Sequence, residues 1–425
     1  MQSGPGYVPE GGIPESQSPT TSGYWALGAP VPGYTNLYNL ELHNTGSGFV
    51  EKFLFSPAAQ STHPAPALVV FHRYSTSHFD AVFWTNFLNE AQQRNWHFIA
   101  PLSAFTTNFG CLEGQINTRA VLEYLRPLYS IDEQRVYGVG FSMGAGALAT
   151  QAARQCDPSS LRFAAIVDHT GSVSLSDVYA NSPGIVRTLL AQRFGGKPEL
   201  FPFAYARCSV LDHLPSATAP ANMSRNLTGT PTLLWMADHD PNGYLQDDTR
   251  ALRDQLLSDG GAARMSIVPA SIHSWNTLDD HAVCEWLWRQ APLPAHRPSG
   301  MALADADGAW FDFRIEQDQA GAFTPFRWET NPAANQLALL ESENLKRVHV
   351  DVQELGLSYS GALLLDLAPA DGTGDEVVLE GIPGANPPQT VQRNGSPSSY
   401  TYDPQLGTLT LPVAGSSPDH WEIQF

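Results

Sequence analysis

Lysine is nearly missing from this chain. Among 425 residues only Lys52, Lys197 and Lys346 are lysines, and the formal net charge is −19. A surface so poor in cations neither neutralises phosphates nor is drawn to anionic lipid, which argues against nucleic acid or a membrane surface as a partner. No run of 18 uncharged apolar residues occurs, so the sequence offers no transmembrane span. Cysteine is scarce as well. Cys111, Cys156, Cys208 and Cys284 lie far apart, and no C-x-x-C spacing suggests zinc. Met1 is followed by Gln-Ser-Gly-Pro-Gly-Tyr, with neither the basic nor the apolar region of a leader. The low charge density and the wealth of Trp, Pro and Gly lead us to expect a secreted, extracellular protein whose signal peptide has been removed. In that setting one or two disulfides are expected among the four cysteines. No internal repeat is sustained.

What is present has a clear order. Residues 1–35, rich in Gly, Pro and Ser, read as a flexible N-terminal arm. Asn36–His43 and Gly48–Phe55 alternate around Asn-Thr-Gly-Ser-Gly, which predicts a hairpin. From Ala67 onward, continuous apolar strands alternate with helical spacing. Strands are expected at 67–71, 96–102, 136–139, 161–167, 232–236 and 265–269, and helices at 79–94, 116–129, 186–194, 245–257 and 278–288. This alternation implies a mostly parallel sheet with right-handed crossovers. Residues 170–228 are irregular and sit where such a sheet often carries a lid or cap. They also contain two N-x-S/T sequons, at Asn222 and Asn226. Residues 291–300 read as a linker. Residues 301–425 switch to about seven short alternating strands divided by Gly, Pro and Asp turns, which predicts a C-terminal β-sandwich domain.

The chemistry centres on Gly140-Phe141-Ser142-Met143-Gly144, where an apolar strand turns sharply into an Ala-rich helix. A serine at such a turn is thrust above the sheet edge, and the helix N-terminus behind it offers unpaired N–H groups to a developing oxyanion. A serine hydroxyl needs a base, and the base needs an orienting carboxylate. In a sheet of this type the acid and then the histidine follow past the ends of later strands. The strand ending at Met236 runs into Ala237-Asp238-His239-Asp240, and the strand ending at Pro269 runs into Ser271-Ile272-His273. His273 is the expected base. Asp240 is favoured as the acid over Asp238, with Asp168 in Asp168-His169 as the fallback. The oxyanion donors are expected to be the N–H of Met143 and that of Tyr74, with Arg73 the second choice for the latter. Arg73, Trp275 and Asp238 are candidates for the substrate pocket. Asp305-Ala-Asp307-Gly308 lacks the later ligands of a calcium loop and reads as a turn. No metal or organic cofactor is called for.

These motifs resemble the α/β-hydrolase superfamily. They are most similar to esterases grouped with polyhydroxybutyrate depolymerases and feruloyl esterases, and to bacterial cutinases and other polyester hydrolases. The resemblance is carried by Leu68-Val-Val-Phe-His72, Asn108-Phe-Gly-Cys111, Ile131–Gly144, the Asp238–Asp240 pair and His273-Ser-Trp275, and it covers roughly residues 36–290. It implies an α/β-hydrolase catalytic domain and ester hydrolysis through an acyl-enzyme. It also implies that the second aspartate of the pair, Asp240, is catalytic. The resembling families commonly carry His-Gly after the strand, where this chain has His72-Arg73-Tyr74. The expected substrate is a small or polymeric ester: a polyester, an aryl or feruloyl ester, or a short-chain acyl ester. The alternatives are an acyltransferase or peptidase with the same triad, or a binding protein on a hydrolase scaffold. The C-terminal domain is expected either to bind polymer or carbohydrate, or only to stabilise the catalytic domain.

Overall fold

The computed structural model describes residues 23–59, 63–212, 222–368, 375–384, 387–413 and 417–425. As far as they are described, residues 23–155, 160–212 and 222–293 form one compact unit, and residues 156–159 and 294–425 form a second.

The first unit is built on a nine-stranded sheet. Its strands are β1 (Trp25–Pro30), β2 (Tyr38–His43), β3 (Glu51–Ser56), β4 (Ala65–Phe71), β5 (His97–Pro101), β6 (Ile131–Phe141), β7 (Phe163–His169), β8 (Thr232–Ala237) and β9 (Ala263–Val268). They lie in the order β1-β2-β3-β5-β4-β6-β7-β8-β9. The pairings from β1 through β3 to β5 are antiparallel, and all those beyond are parallel. The helices are α1 (Asp80–Phe83), α2 (Phe87–Gln93), α3 (Leu112–Leu125), α4 (Met143–Arg154), α5 (Leu175–Asn181), α6 (Gly184–Phe194), α7 (Pro202–Ala206), α8 (Gly243–Ser258) and α9 (Asp280–Trp288). A parallel sheet with helical crossovers, a swap of β4 and β5 and a serine turn after β6 is the α/β-hydrolase fold.

The apolar runs occupy the centre because both faces of the sheet are covered. Every residue of β5 and β7 is buried, as are six of the seven in β4. Helix α4 is almost entirely buried, and its glycines and alanines let it lie close to the sheet. One core cluster joins Leu68, Val70, Tyr137, Val139 and Phe141 to Trp96, Trp275 and Leu287.

Three expectations are corrected here. Residues 23–35 are not a flexible arm, since β1 pairs along its whole length with β2. The alternation is hidden because Gly28 contributes no side chain. Leu40 of β2 fills that space, 2.2 Å from where a Cβ would lie. Residues 1–22 of the expected arm lie outside the described residues. The single helix expected over 79–94 is broken into α1 and α2, with the Thr85 hydroxyl turned back onto the Ala81 carbonyl at the break. Nor do the expected disulfides form among the described residues. The four cysteines are buried thiols: Cys284 packs in the core beneath the sheet, and Cys111 and Cys208 in a second apolar cluster with Met143 and Tyr205. Free cysteine packs as a small apolar residue. Among the described residues, no helix is long and apolar enough to cross a membrane.

The second unit consists of two sheets. The larger contains β10 (Ser299–Ala304), β13 (Thr324–Asn331), β14 (Gln336–Ser342), β16 (Ala362–Leu367), β18 (Thr390–Arg393), β19 (Ser396–Pro397) and β22 (Asp419–Gln424). The smaller contains β11 (Gly308–Trp310), β12 (Phe313–Gln317), β15 (Leu345–Asp351), β17 (Asp375–Glu380), β20 (Thr401–Asp403) and β21 (Thr408–Val413). Phe313 of β12 packs against Phe326 and Trp328 of β13 with ring centroids 5.6 and 5.1 Å apart, which joins the two sheets as a sandwich. The described residues of this unit carry thirteen strands rather than about seven. Strands β11 and β12 are separated at Phe311, whose φ is +55°, and β10 begins inside the expected linker.

The approach of α4 to β4 depends on a missing methyl group. A Cβ on Gly144 would lie 2.4 Å from the His72 carbonyl oxygen and 2.5 Å from that of Phe71. These are backbone atoms and cannot swing aside. Gly144→Ala is therefore expected to cost about 2 kcal/mol or more, seen as a lowered Tm in a thermal melt. Gly184→Ala, whose added carbon meets nothing within 4 Å, should leave the Tm unchanged or slightly raised.

Candidate active site

Ser142 stands between β6 and α4 with φ +56° and ψ −121°. A non-glycine residue held there costs of order 1–3 kcal/mol and persists only where its surroundings impose it. Its N–H donates to the His169 carbonyl at 2.9 Å, and its own carbonyl accepts from Ala145 at 3.1 Å and Ser172 at 3.1 Å. Met143 opens α4, and its N–H meets no acceptor among the described residues.

The loop after β4 is clamped at one carbonyl by two side chains. Thr76 Oγ1 donates to the Arg73 carbonyl at 2.7 Å, and His72 Nδ1 lies 2.8 Å from the same oxygen. A trans peptide is planar, so the N–H of Tyr74 points opposite that fixed carbonyl. It meets no acceptor among the described residues, whereas the Arg73 N–H is committed to Asp80 Oδ2 at 3.2 Å. Of the two donors weighed from the sequence, Tyr74 is thus the one left open. His72 is fully buried, and burial holds its pKa below the ordinary imidazole value.

His273 Nδ1 lies 2.7 Å from Asp240 Oδ2, and Asp240 is buried and takes a further hydrogen bond, 2.8 Å from the Asn242 N–H. Asp238 is engaged elsewhere. It accepts from the Ala270 N–H at 2.9 Å and pairs with His239 at 2.8 Å, and these bonds, that to His239 first, hold its pKa below the usual carboxylate value. The His273 ring packs 4.5 Å from that of Phe141, the residue before the serine.

Ser142, Met143, Tyr74, Arg73 and His273 line one cavity of about 320 Å³, whose walls are mainly apolar. Phe109, Leu245 and Tyr244 contribute to it, and Val178, Pro183 and Val186 enter from α5, α6 and the turn between them, so the irregular region after β7 supplies part of the wall. No hydrogen bond joins Ser142 Oγ to His273 among the described residues; the two meet as walls of this space.

Two pocket candidates lie elsewhere. Trp275 is buried in the core against Phe87 and Phe141, and its Nε1 donates to Asp80 Oδ2 at 2.8 Å. Asp238 does not line the cavity, being turned toward His239 and Ala270. Asp168 and His169 lie beneath the site. Asp168 is fully buried, accepts among the described residues only from the Gly171 N–H at 2.8 Å, and is pushed by desolvation to a pKa of about 7. His169 Nε2 lies 2.8 Å from Thr277 Oγ1, whose proton goes to the Ser274 carbonyl, so His169 is the donor. Burial, and next the neighbouring His273, lower its pKa to about 3. Reasoning from sequence missed Asp80. Its only signal was a carboxylate set within the apolar run Phe79–Phe83.

No protein-family model matches the chain, and no curated protein matches it. Among solved structures, an S-formylglutathione hydrolase from Staphylococcus aureus is similar at 14% identity and a TM-score of 0.41, the match covering 61% of this chain and 99% of that one. An acetyl xylan esterase from Paenibacillus sp. R4 is similar at 12% identity and a TM-score of 0.44, covering 63% of this chain and 89% of that one. An acylaminoacyl peptidase from Pyrococcus horikoshii is similar at 13% identity and a TM-score of 0.45, covering 64% of this chain and 49% of that one. The strand order and the turn at Ser142, not these distant likenesses, define the fold.

Two outcomes follow from this geometry. Asp240→Asn should lower kcat for an activated ester by about 10³- to 10⁴-fold, and Asp238→Asn should stay within about threefold of wild type, measured side by side. The second concerns stability. The folded Asp168 carboxyl binds its proton more tightly than the unfolded one, whose value is 3.8, so its contribution is full below that value and is lost as pH rises through about 7. Asp168→Asn removes this loss. Its Tm relative to wild type should therefore climb by about 3 °C or more between about pH 5 and pH 8.

Proposed function

We propose that the chain is a serine hydrolase acting on carboxylic esters. The observation that supports this most is that His273, paired with Asp240 at 2.7 Å, lines the same cavity as Ser142 on its strained turn. In this reading Ser142 Oγ attacks the ester carbonyl, and His273 Nε2 takes its proton. Asp240 holds the imidazole in the Nδ1–H tautomer and stabilises the imidazolium. The contact between Oγ and Nε2 tightens as substrate fills the cavity, as catalytic hydrogen bonds commonly do. The tetrahedral oxyanion receives the N–H groups of Met143 and Tyr74. The imidazolium protonates the departing alkoxide, and water activated by His273 then releases the acid from the acyl-enzyme.

The mainly apolar cavity favours an uncharged acyl or aryl group, whether of a small ester or of a polyester chain. Phe109, Val178 and Leu245 are placed to hold it.

The test is covalent as well as kinetic. Wild type should hydrolyse p-nitrophenyl butyrate faster than a peptide anilide, and a fluorophosphonate should label Ser142 stoichiometrically. Ser142→Ala should abolish labelling and lower kcat by about 10³-fold or more. Folded wild type that neither labels nor hydrolyses the ester would overturn the reading, and faster cleavage of the anilide would make it a peptidase.

A further inference from the structure

The two loops that meet at the cavity are tied to one buried carboxylate. Asp80 stands at the start of α1 with its side chain fully buried. Its Oδ2 accepts from the Arg73 N–H at 3.2 Å and from Trp275 Nε1 at 2.8 Å, and its Oδ1 faces Arg73 Nε at 3.1 Å. Arg73 immediately precedes Tyr74, the open donor of the β4 loop. Trp275 follows His273 by two residues. The carboxylate therefore touches the backbone next to one reacting group and the indole next to another, while touching neither group itself.

Its neighbours fix it there. A buried carboxylate is costly unless it is paired and hydrogen-bonded; here Oδ2 takes both N–H bonds, and Oδ1, which accepts no hydrogen bond among the described residues, faces the Arg73 guanidinium. The Arg73 guanidinium supplies the charge and is itself held over the Trp84 ring at 4.9 Å. The two aligned N–H donors come from different loops, so neither loop can shift without loosening this anion. Charge-assisted bonds of this kind are stronger than neutral ones, which suits a joint that must hold position during turnover.

We infer that Asp80 is a positioning residue. It keeps the Arg73 N–H out of the oxyanion hole, fixes the peptide that presents the Tyr74 N–H, and holds the His273 loop at the matching distance. The inference rests on the hydrolase reading above. It adds that the oxyanion hole and the base are set by one group, so loosening that group harms the transition state and spares ground-state binding.

Asp80→Asn keeps the shape and removes the charge. Its kcat for p-nitrophenyl butyrate should fall about 10- to 100-fold with KM within about threefold. Affinity for a trifluoromethyl ketone, which forms a tetrahedral oxyanion on Ser142, should fall by the same factor as kcat/KM. Affinity for the matching methyl ketone, which mimics only the ground state, should be unchanged. Trp275→Phe, which removes one of the three ties, should show the same pattern at about 3- to 10-fold. Joined to Asp80→Asn, it should add little. Wild-type kcat and trifluoromethyl ketone affinity in folded Asp80→Asn would overturn the inference, as would equal losses for both ketones. Should Asp80→Asn fail to fold, the ratio of ketone affinities in Trp275→Phe decides in the same way. Wild type inert to both ester and fluorophosphonate would instead overturn the hydrolase reading itself.

Discussion

The close contact of backbone with backbone at the serine turn is the constraint on which the site depends. Helix α4 lies so near β4 that Gly144 rests against the carbonyls of Phe71 and His72, and Gly146 against that of Ser172. The same contact leaves Ser142 no conformation but a left-handed one, with its hydroxyl at the sheet edge. The free N–H of Met143 follows, because the turn is also the first residue of a helix. Three features of the proposed chemistry thus arise from one packing event: a half-buried nucleophile lining the cavity, a strained backbone and an oriented donor.

Around that turn the site is assembled by loops that the sheet delivers to one edge. The loop after β4 brings Tyr74, the loop after β8 brings Asp240, and the loop after β9 brings His273. Each is fixed by hydrogen bonds that lie outside the reacting atoms. Thr76 and His72 hold the Arg73 carbonyl, Ala270 and His239 occupy Asp238, and Thr277 anchors the His273 loop to His169. Buried polar groups seldom go unpaired, and here their pairing also determines which of two similar residues meets His273. Asp238 and Asp240 are two residues apart and chemically identical, yet only one meets the imidazole.

Much of this was legible in the sequence because it is written in local patterns. Continuous apolar runs marked β4, β5 and β7, and the glycines flanking Ser142 marked the turn. The order of Ser142, Asp240 and His273 followed from strand ends. What could not be read had a long-range cause. Strand β1 is formed from residues whose pattern is interrupted by Gly28, and its partner side chain, Leu40, lies on another strand. The break between α1 and α2 depends on Thr85 folding back onto α1. Asp80 was missed because its donors lie 7 and 195 residues away. Trp275 looked like a pocket wall because an indole beside a histidine gives no local sign of which way it turns. In the second unit, strands as short as β19, Ser396–Pro397, fall below any periodicity test, which is one reason about seven strands were expected where the described residues form thirteen.

The buried thiols carry a consequence for how the molecule endures its surroundings. Every cysteine side chain is packed away from solvent, and burial raises the pKa of Cys284 to about 12 and that of Cys111 further still. Thiolate is the reactive form, so oxidants and alkylating agents find almost nothing to attack while the chain is folded. The architecture owes nothing to disulfide cross-linking among its described residues.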